Sequence, residues 1–312
     1  MITNSTITRF CLLLIVSLAI TSCTKDFGDG QENFESVIVL NSAFLPGEIM
    51  SIKLTNSISI FDKDENISGV IDATVTVKDE ESGELYTLNH VGEGLYQSDI
   101  FRPQYEIDYT VIASAEGYGT VEATSSIPYP VIANISNSTE GFNDAGDYEA
   151  EIELEFVNEE KAPKFYVWEV VDDNELFNQD FTFDQVLDNP VMLTSQSDNT
   201  DSVLADESFQ SRVFYTDNGD NADPYRSKFI TPTTPSFGAQ TTSDIDEELA
   251  PRIQVRVMTV SEDLYQYFKS VEIYRSRGIH NSSITQPSEI YSNVKGGIGI
   301  FAGYHQRFLD FK

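Results

Sequence analysis

Carboxylates are the most abundant residues here that can do chemistry. The 312-residue chain carries 51 Asp and Glu against 19 Lys and Arg, a formal net charge of −32. Two loops space their oxygen ligands in a way that suits a hard cation. Asp62-x-Asp64-x-Asn66 starts with the ligand spacing of a calcium loop, but Ile67 stands where that loop needs Gly and Ala73 where it needs Glu. Asp217-Asn218-Gly219-Asp220-Asn221-Ala222-Asp223 packs five oxygen-bearing side chains into seven residues. Asp217, Asp220 and Asp223 are therefore weak calcium candidates, with a solvated loop as the plainer alternative. Otherwise no metal or organic cofactor is expected. The three histidines, His90, His280 and His305, lie far apart, and no HExxH spacing occurs. There is no GxSxG elbow and no P-loop, and Gly296-Gly297-Ile298-Gly299 lacks the last glycine of a dinucleotide fingerprint. Paired-carboxylate hydrolysis stays open, because so many acids make any one pair uninformative.

Sulfur chemistry is confined to the first 23 residues, in Cys11 and Cys23. Phe10–Ile20 is an apolar run of eleven broken only by Ser17, too short to span a bilayer as a helix and the right length for a signal-peptide core. Ile20-Thr21-Ser22-Cys23 follows: a branched apolar residue, two small ones and a cysteine. This resembles the bacterial lipobox. The resemblance implies cleavage after Ser22 (residues 1–22 being the signal peptide), diacylglycerol on the Cys23 sulfur and acylation of the new amino terminus. Several acyl chains on one residue meet the requirement for stable anchoring. Residues 23–33 then read as lipidated Cys and polar tether, in which Lys25 and Asp26 resemble an acidic surface-export signal. An ordinary secretory signal with a chance cysteine is the alternative.

The body has to be built from strands. Residues 34–128 show seven short β-branched and aromatic runs: Ser36–Ala43, Met50–Ser57, Ala73–Val77, Leu85–His90, Leu95–Ser98, Tyr109–Ala115 and Gly119–Ser126. An antiparallel sandwich is expected, with Val39, Ile52, Leu54, Val75, Val77, Tyr109, Val111 and Val121 inward. Ile127-Pro128-Tyr129-Pro130 closes it, since two prolines stop strand pairing. Residues 129–312 read as a second β-rich domain. Strands are expected at Asp147–Phe156, Lys164–Val171, Gln210–Tyr215, Arg252–Val260, Ile290–Asn293 and Ile298–Tyr304, and a short helix at Thr182–Asp188. In Arg252–Val260 the alternation of Ile253, Val255 and Val257 with Arg252, Gln254 and Arg256 predicts one wet face. The clearest helix is Ser261–Arg277, with Ser261 as cap, acids in the first turn and Leu264, Phe268 and Val271 along one face. Its Tyr265, Tyr267, Phe268 and Tyr274 cannot all face inward, and Trp168 reads as core.

Charge is distributed unevenly. Residues 129–250 hold 27 acids and five bases, whereas 251–312 hold eight bases and five acids. Arg252, Arg256, Arg275 and Arg277 are expected to pair with the acidic middle, or else to form a docking patch. A chain this acidic does not bind nucleic acid, nor an anionic membrane by electrostatics.

Two resemblances complete the reading. Val70–Val77, then Gly92-Glu93-Gly94-Leu95-Tyr96, then Ala115-Glu116-Gly117-Tyr118 resemble immunoglobulin/transthyretin-like and carboxypeptidase-regulatory-like sandwiches in their order. More specific is the closing Pro287-Ser288-Glu289-Ile290-Tyr291-Ser292-Asn293-Val294-Lys295-Gly296-Gly297-Ile298-Gly299-Ile300-Phe301-Ala302-Gly303-Tyr304. With the lipobox, Val37–Ser42 and the Ser261–Ser270 helix, it resembles the Bacteroidota lipoproteins of domain-of-unknown-function family 4249. That resemblance implies an outer-membrane lipoprotein, commonly encoded beside TonB-dependent receptors, with no assigned catalytic residue. The expected function is a non-enzymatic binding or accessory partner of a TonB-dependent receptor in nutrient uptake, lipid-anchored at the cell surface, its ligand unknown. A structural envelope subunit and a carboxylate-based surface hydrolase are the alternatives.

Overall fold

Strict alternation of β-branched residues produces most of this molecule. The computed structural model describes residues 34–59, 67–142, 148–157, 164–172, 192–195, 213–217, 225–231, 253–279 and 289–310. The first seven strands are β1 (Ile38–Phe44), β2 (Ser51–Asn56), β3 (Thr74–Asp79), β4 (Leu85–Gly92), β5 (Leu95–Gln97), β6 (Tyr109–Ala115) and β7 (Gly119–Ser125). All seven expected runs are strands, within a few residues at their ends. Then come β8 (Ile132–Phe142), β9 (Tyr148–Val157), β10 (Lys164–Asp172), β11 (Met192–Ser195), β12 (Val213–Asp217), β13 (Tyr225–Thr231) and β14 (Ile253–Val260). Helix α1 (Glu262–Ile279) and strand β15 (Ile298–Asp310) finish the chain. The protein is mainly β, and these elements lie in one compact unit, Val37–Ile58 with Asn66–Lys312.

Eleven strands run in the order β12-β10-β14-β15-β1-β2-β5-β4-β3-β6-β7, and four more in the order β11-β13-β9-β8. The first and last strands are neighbours: β1 pairs in parallel with β15, from Val39 opposite Ile298 to Phe44 opposite Gly303. Its other neighbour is β2, antiparallel. The far end of the eleven-strand order returns to the middle. Glu122 in β7 exchanges both backbone hydrogen bonds with Lys295 (3.0 and 2.8 Å), and Gly303 N–H donates to Ser125 Oγ (3.4 Å). The sheet thus curls so that β7 lies beside the approach to β15.

β15 serves two cores. Phe301 packs with Ile38, Leu40, Ile52, Leu54, Val75, Val77, Val111 and Val121. Ile300, Ala302 and Tyr304 point the other way, to Met258, Val260 and the α1 residues Leu264, Tyr265 and Phe268. A strand buried on both faces needs a nearly continuous apolar run, and Ile298–Tyr304 supplies one.

Three expectations are corrected. Val39 is not inward: Ile38 and Leu40 are fully buried, and the phase of β1 is displaced by one residue. Val37–Leu40 is apolar throughout, so alternation could not set the phase there. The face of β14 expected to be wet is not wet at Arg256, which is buried and pairs with buried Glu169 on β10, whereas Gln254 is half-buried. That pair does meet the expectation that Arg256 finds its partner in the acidic middle. Finally, Ile290–Asn293 is not a strand. Ser261 caps α1 as expected (Leu264 N–H to Ser261 Oγ, 3.4 Å), Trp168 is core, and of the helix aromatics Tyr274 alone is exposed. Thr182–Asp188 and Asp62-x-Asp64-x-Asn66 lie outside the described residues.

Candidate functional site

The segment singled out as most specific, within which Glu289–Tyr304 is described, carries a dense set of engaged polar groups. Glu289–Val294 runs along α1 without strand pairing, tied by side chains instead. Tyr291 N–H donates to Ser270 Oγ (2.9 Å), and Tyr291 O–H donates to Asp263 Oδ1 (2.5 Å) in the first turn of α1. Asn293 replaces a strand neighbour with its amide: Nδ2–H donates to Phe301 O (2.7 Å) and Oδ1 accepts from Phe301 N (3.0 Å). This explains why the segment reads like a strand but is not one. Ser292 Oγ accepts from Gly299 N–H (3.1 Å) and Val294 N–H (3.3 Å), closing the turn.

Glycines bring this turn against its neighbours. A Cβ on Gly297 would lie 2.4 Å from Ile38 O and 2.7 Å from Val121 Cγ1; on Gly299 it would lie 2.0 Å from Leu40 O. Gly299 also has φ +124, a conformation L side chains rarely adopt. The glycine spacing therefore seats the turn against β7 and the start of β15 against β1.

Between α1 and this segment lies an open groove of about 500 Å³, lined in part by Gln266, Lys269, Ser270, Ile290 and Tyr291. Burial, then the bond to Asp263, pushes the Tyr291 phenol up to about 12. A phenol raised above its ordinary value of 10 contributes stability that is complete below pH 10 and is lost as pH rises through 12. Wild type is thus expected to lose more stability between these two pH values than Tyr291→Phe, as read by urea midpoints along the pH series. Equal losses would show that folding does not hold the Tyr291 phenol above its ordinary value.

His90 Nε2 accepts from Gly94 N–H (3.1 Å), fixing the β4–β5 turn. His305 Nδ1 meets Tyr105 O–H at 2.9 Å, and burial lowers the His305 pKa. Burial pushes the Arg256 guanidinium down to about 10, which leaves it charged at neutral pH beside Glu169. Among the described residues no three His, Cys, Asp or Glu side chains are grouped to hold a metal. Asp217 ends β12, while Asp220 and Asp223 lie outside the described residues, as do Ser22, Cys23, Lys25, Asp26 and His280. Among the described residues no helix is long and apolar enough to cross a membrane. Sequence reasoning placed the partner of Arg256 in the acidic middle without singling out Glu169, and it missed the Tyr291–Asp263 strap. Both join residues about 30 or more positions apart, and only the pairing of β10 with β14 and the course of Glu289–Val294 bring them together.

What the geometry defines is a mainly β chain closed by a glycine-rich last strand and a side-chain strap across its helix. Residues 25–308 match the family model described as Domain of unknown function (DUF4249), and the chain belongs to that family. No curated protein matches the chain.

Proposed function

We propose that this chain is an outer-membrane lipoprotein, held at the cell surface by lipid on Cys23, that works as a non-enzymatic accessory or binding partner of a TonB-dependent receptor. The observation that carries the reading is Ile20-Thr21-Ser22-Cys23 directly after an eleven-residue apolar core. Thioether-linked acyl chains give a water-soluble body lasting residence on a bilayer. The resemblance of the lipobox and the closing segment to lipoproteins of this family supports the reading by what it implies.

Cys23→Ala is expected to move the protein out of the outer-membrane fraction, and intact mass of the wild-type mature chain is expected to begin at acylated Cys23. A tagged wild-type chain, purified from detergent-solubilised outer membrane, is expected to bring down one β-barrel receptor. Recovery of no barrel, with envelope leakage on deletion and no nutrient-specific growth defect, would favour a structural envelope role instead.

A further inference from the structure

Val37 is where the chain enters the sheet. Its N–H donates to Ser57 Oγ (2.9 Å), and its carbonyl accepts from Ser57 N–H (2.9 Å). Strand pairing fixes what else lies at this end. Asn56 stands opposite Ile38, and Ser68 is bonded to Asn56 through its backbone carbonyl (3.1 Å) and its N–H (2.7 Å). Ile298 stands beside Val39.

Large aliphatic side chains face solvent here: Ile67 is 65% exposed, Ile71 62% and Ile298 48%. Ser68, Gly69 and Val70 between the first two make the contacts with β2, through Asn56, Thr55 and Leu54, so Ile67 and Ile71 are left outside that pairing. Counted across the strands, Ile67 and Ile298 are about three spacings apart, roughly 14 Å. One exposed isoleucine is ordinary, but Ile67 and Ile298 at this end, with Ile71 four residues further on along the segment beside β2, make an apolar rim.

Chain length indicates what meets this rim. Fourteen peptide steps separate Cys23 from Val37. A coil of that length averages about 20 Å end to end. The opposite end of the sheet lies a further ~23 Å along β1, and there Ile49 and Ile100 are exposed. A lipid on Cys23 therefore brings the Val37 end to the bilayer first. The net charge of −32 sets the chemistry of the contact, since it opposes an anionic surface and leaves apolar insertion among zwitterionic headgroups.

We propose that the Ile67–Ile71–Ile298 rim docks into the interfacial zone of the bilayer that holds the Cys23 lipid. This rests on the lipidation proposed above and adds an orientation to it: the Ile49–Ile100 end points away from the membrane.

The test uses the full acylated chain in phosphatidylcholine vesicles that include a nitroxide-labelled lipid. Pyrene is placed at Ile67→Cys, at Ile298→Cys or, as the far-end control, at Ile100→Cys. Flotation of each sample is measured first. Pyrene at the rim is expected to be quenched at least about twofold more than pyrene at Ile100, because only a docked ring enters the ~5–10 Å interfacial depth. Chains that float with equal quenching at all three positions overturn the docking while leaving the anchor intact. Chains that fail to float overturn the lipidation and the docking with it. Excimer emission from the rim labels alone would assign the rim to a second copy of the chain and overturn the membrane assignment. Double Ile67→Ser/Ile298→Ser, without a label, is expected to float like wild type but to lose protection from hydrogen exchange at the start of β15 on vesicles. Unchanged protection counts against docking.

Discussion

Gly299→Ala is expected to cost about 4 kcal/mol or more, the exceptional end for a single substitution, read as a lowered urea midpoint and a loss of soluble protein. The new Cβ would sit 2.0 Å from Leu40 O and 2.9 Å from Leu40 N, and Leu40 is the residue Gly299 stands beside in the parallel ladder. Backbone held on both sides cannot retreat as a flexible side chain can. The φ of +124 adds its own strain. Two controls separate these causes. Gly117, in the β6–β7 turn, has φ +86 with nothing within 4 Å of an added Cβ, so Gly117→Ala is expected to cost only about 1–2 kcal/mol, the strain alone. Gly303 has no positive φ, but its Cβ would lie 2.4 Å from Ser126 O, so Gly303→Ala reads the close approach alone. If Gly299→Ala costs no more than Gly117→Ala, the tight seating of β15 is not what the glycine provides.

The second large effect concerns the ion pair beneath α1. Arg256 and Glu169 stand opposite one another on β14 and β10, and both side chains are almost fully withdrawn from water. Arg256→Met leaves a buried carboxylate without its counter-ion and is expected to cost about 3–5 kcal/mol. Glu169→Leu leaves the guanidinium in the same position and is expected to cost a similar amount. The double variant removes both charges and replaces them with apolar volume, and it is expected to recover most of the loss. Thermal denaturation of the four proteins completes a double-mutant cycle. Additive losses would mean that the two groups do not depend on each other.

These two features also mark where the sequence was and was not legible. Ile52, Leu54, Val75, Val77 and Val121 are inward as alternation required, because each lies in a strand with unbroken alternation of apolar and polar residues, and Val111 is inward too although Ile112 follows it. β1 defeated that reasoning with a run of four apolar residues. β8 was missed because Ile132–Phe142 is rich in Asn, Ser, Thr and Glu; its pairing with β9 is a tertiary fact. Arg256 was read as wet because a charged residue alternating with valines has that pattern, and only its tertiary setting beside Glu169 buries it. At the closing segment the residue pattern was visible but the reason for it was not. Asn293 and the glycines act through backbone atoms of Phe301, Ile38, Leu40 and Thr120, which no local spacing reveals. The residues expected to carry the anchor, Ser22 and Cys23 with Lys25 and Asp26 beyond, lie outside the described residues, so the sequence alone speaks for them.

The adjacency of β1 and β15 has a temporal meaning. Strand β1 acquires one of its two neighbours only when β15 arrives, more than 250 residues later in synthesis. Contacts that span so much of the chain are slow to close. Until the last strand is released, Leu40 keeps an open hydrogen-bonding edge and Phe301 has not yet filled its place against Phe44. Completion of the sheet therefore waits for synthesis of β15, and its loss leaves a vacancy inside the sheet rather than a shortened end.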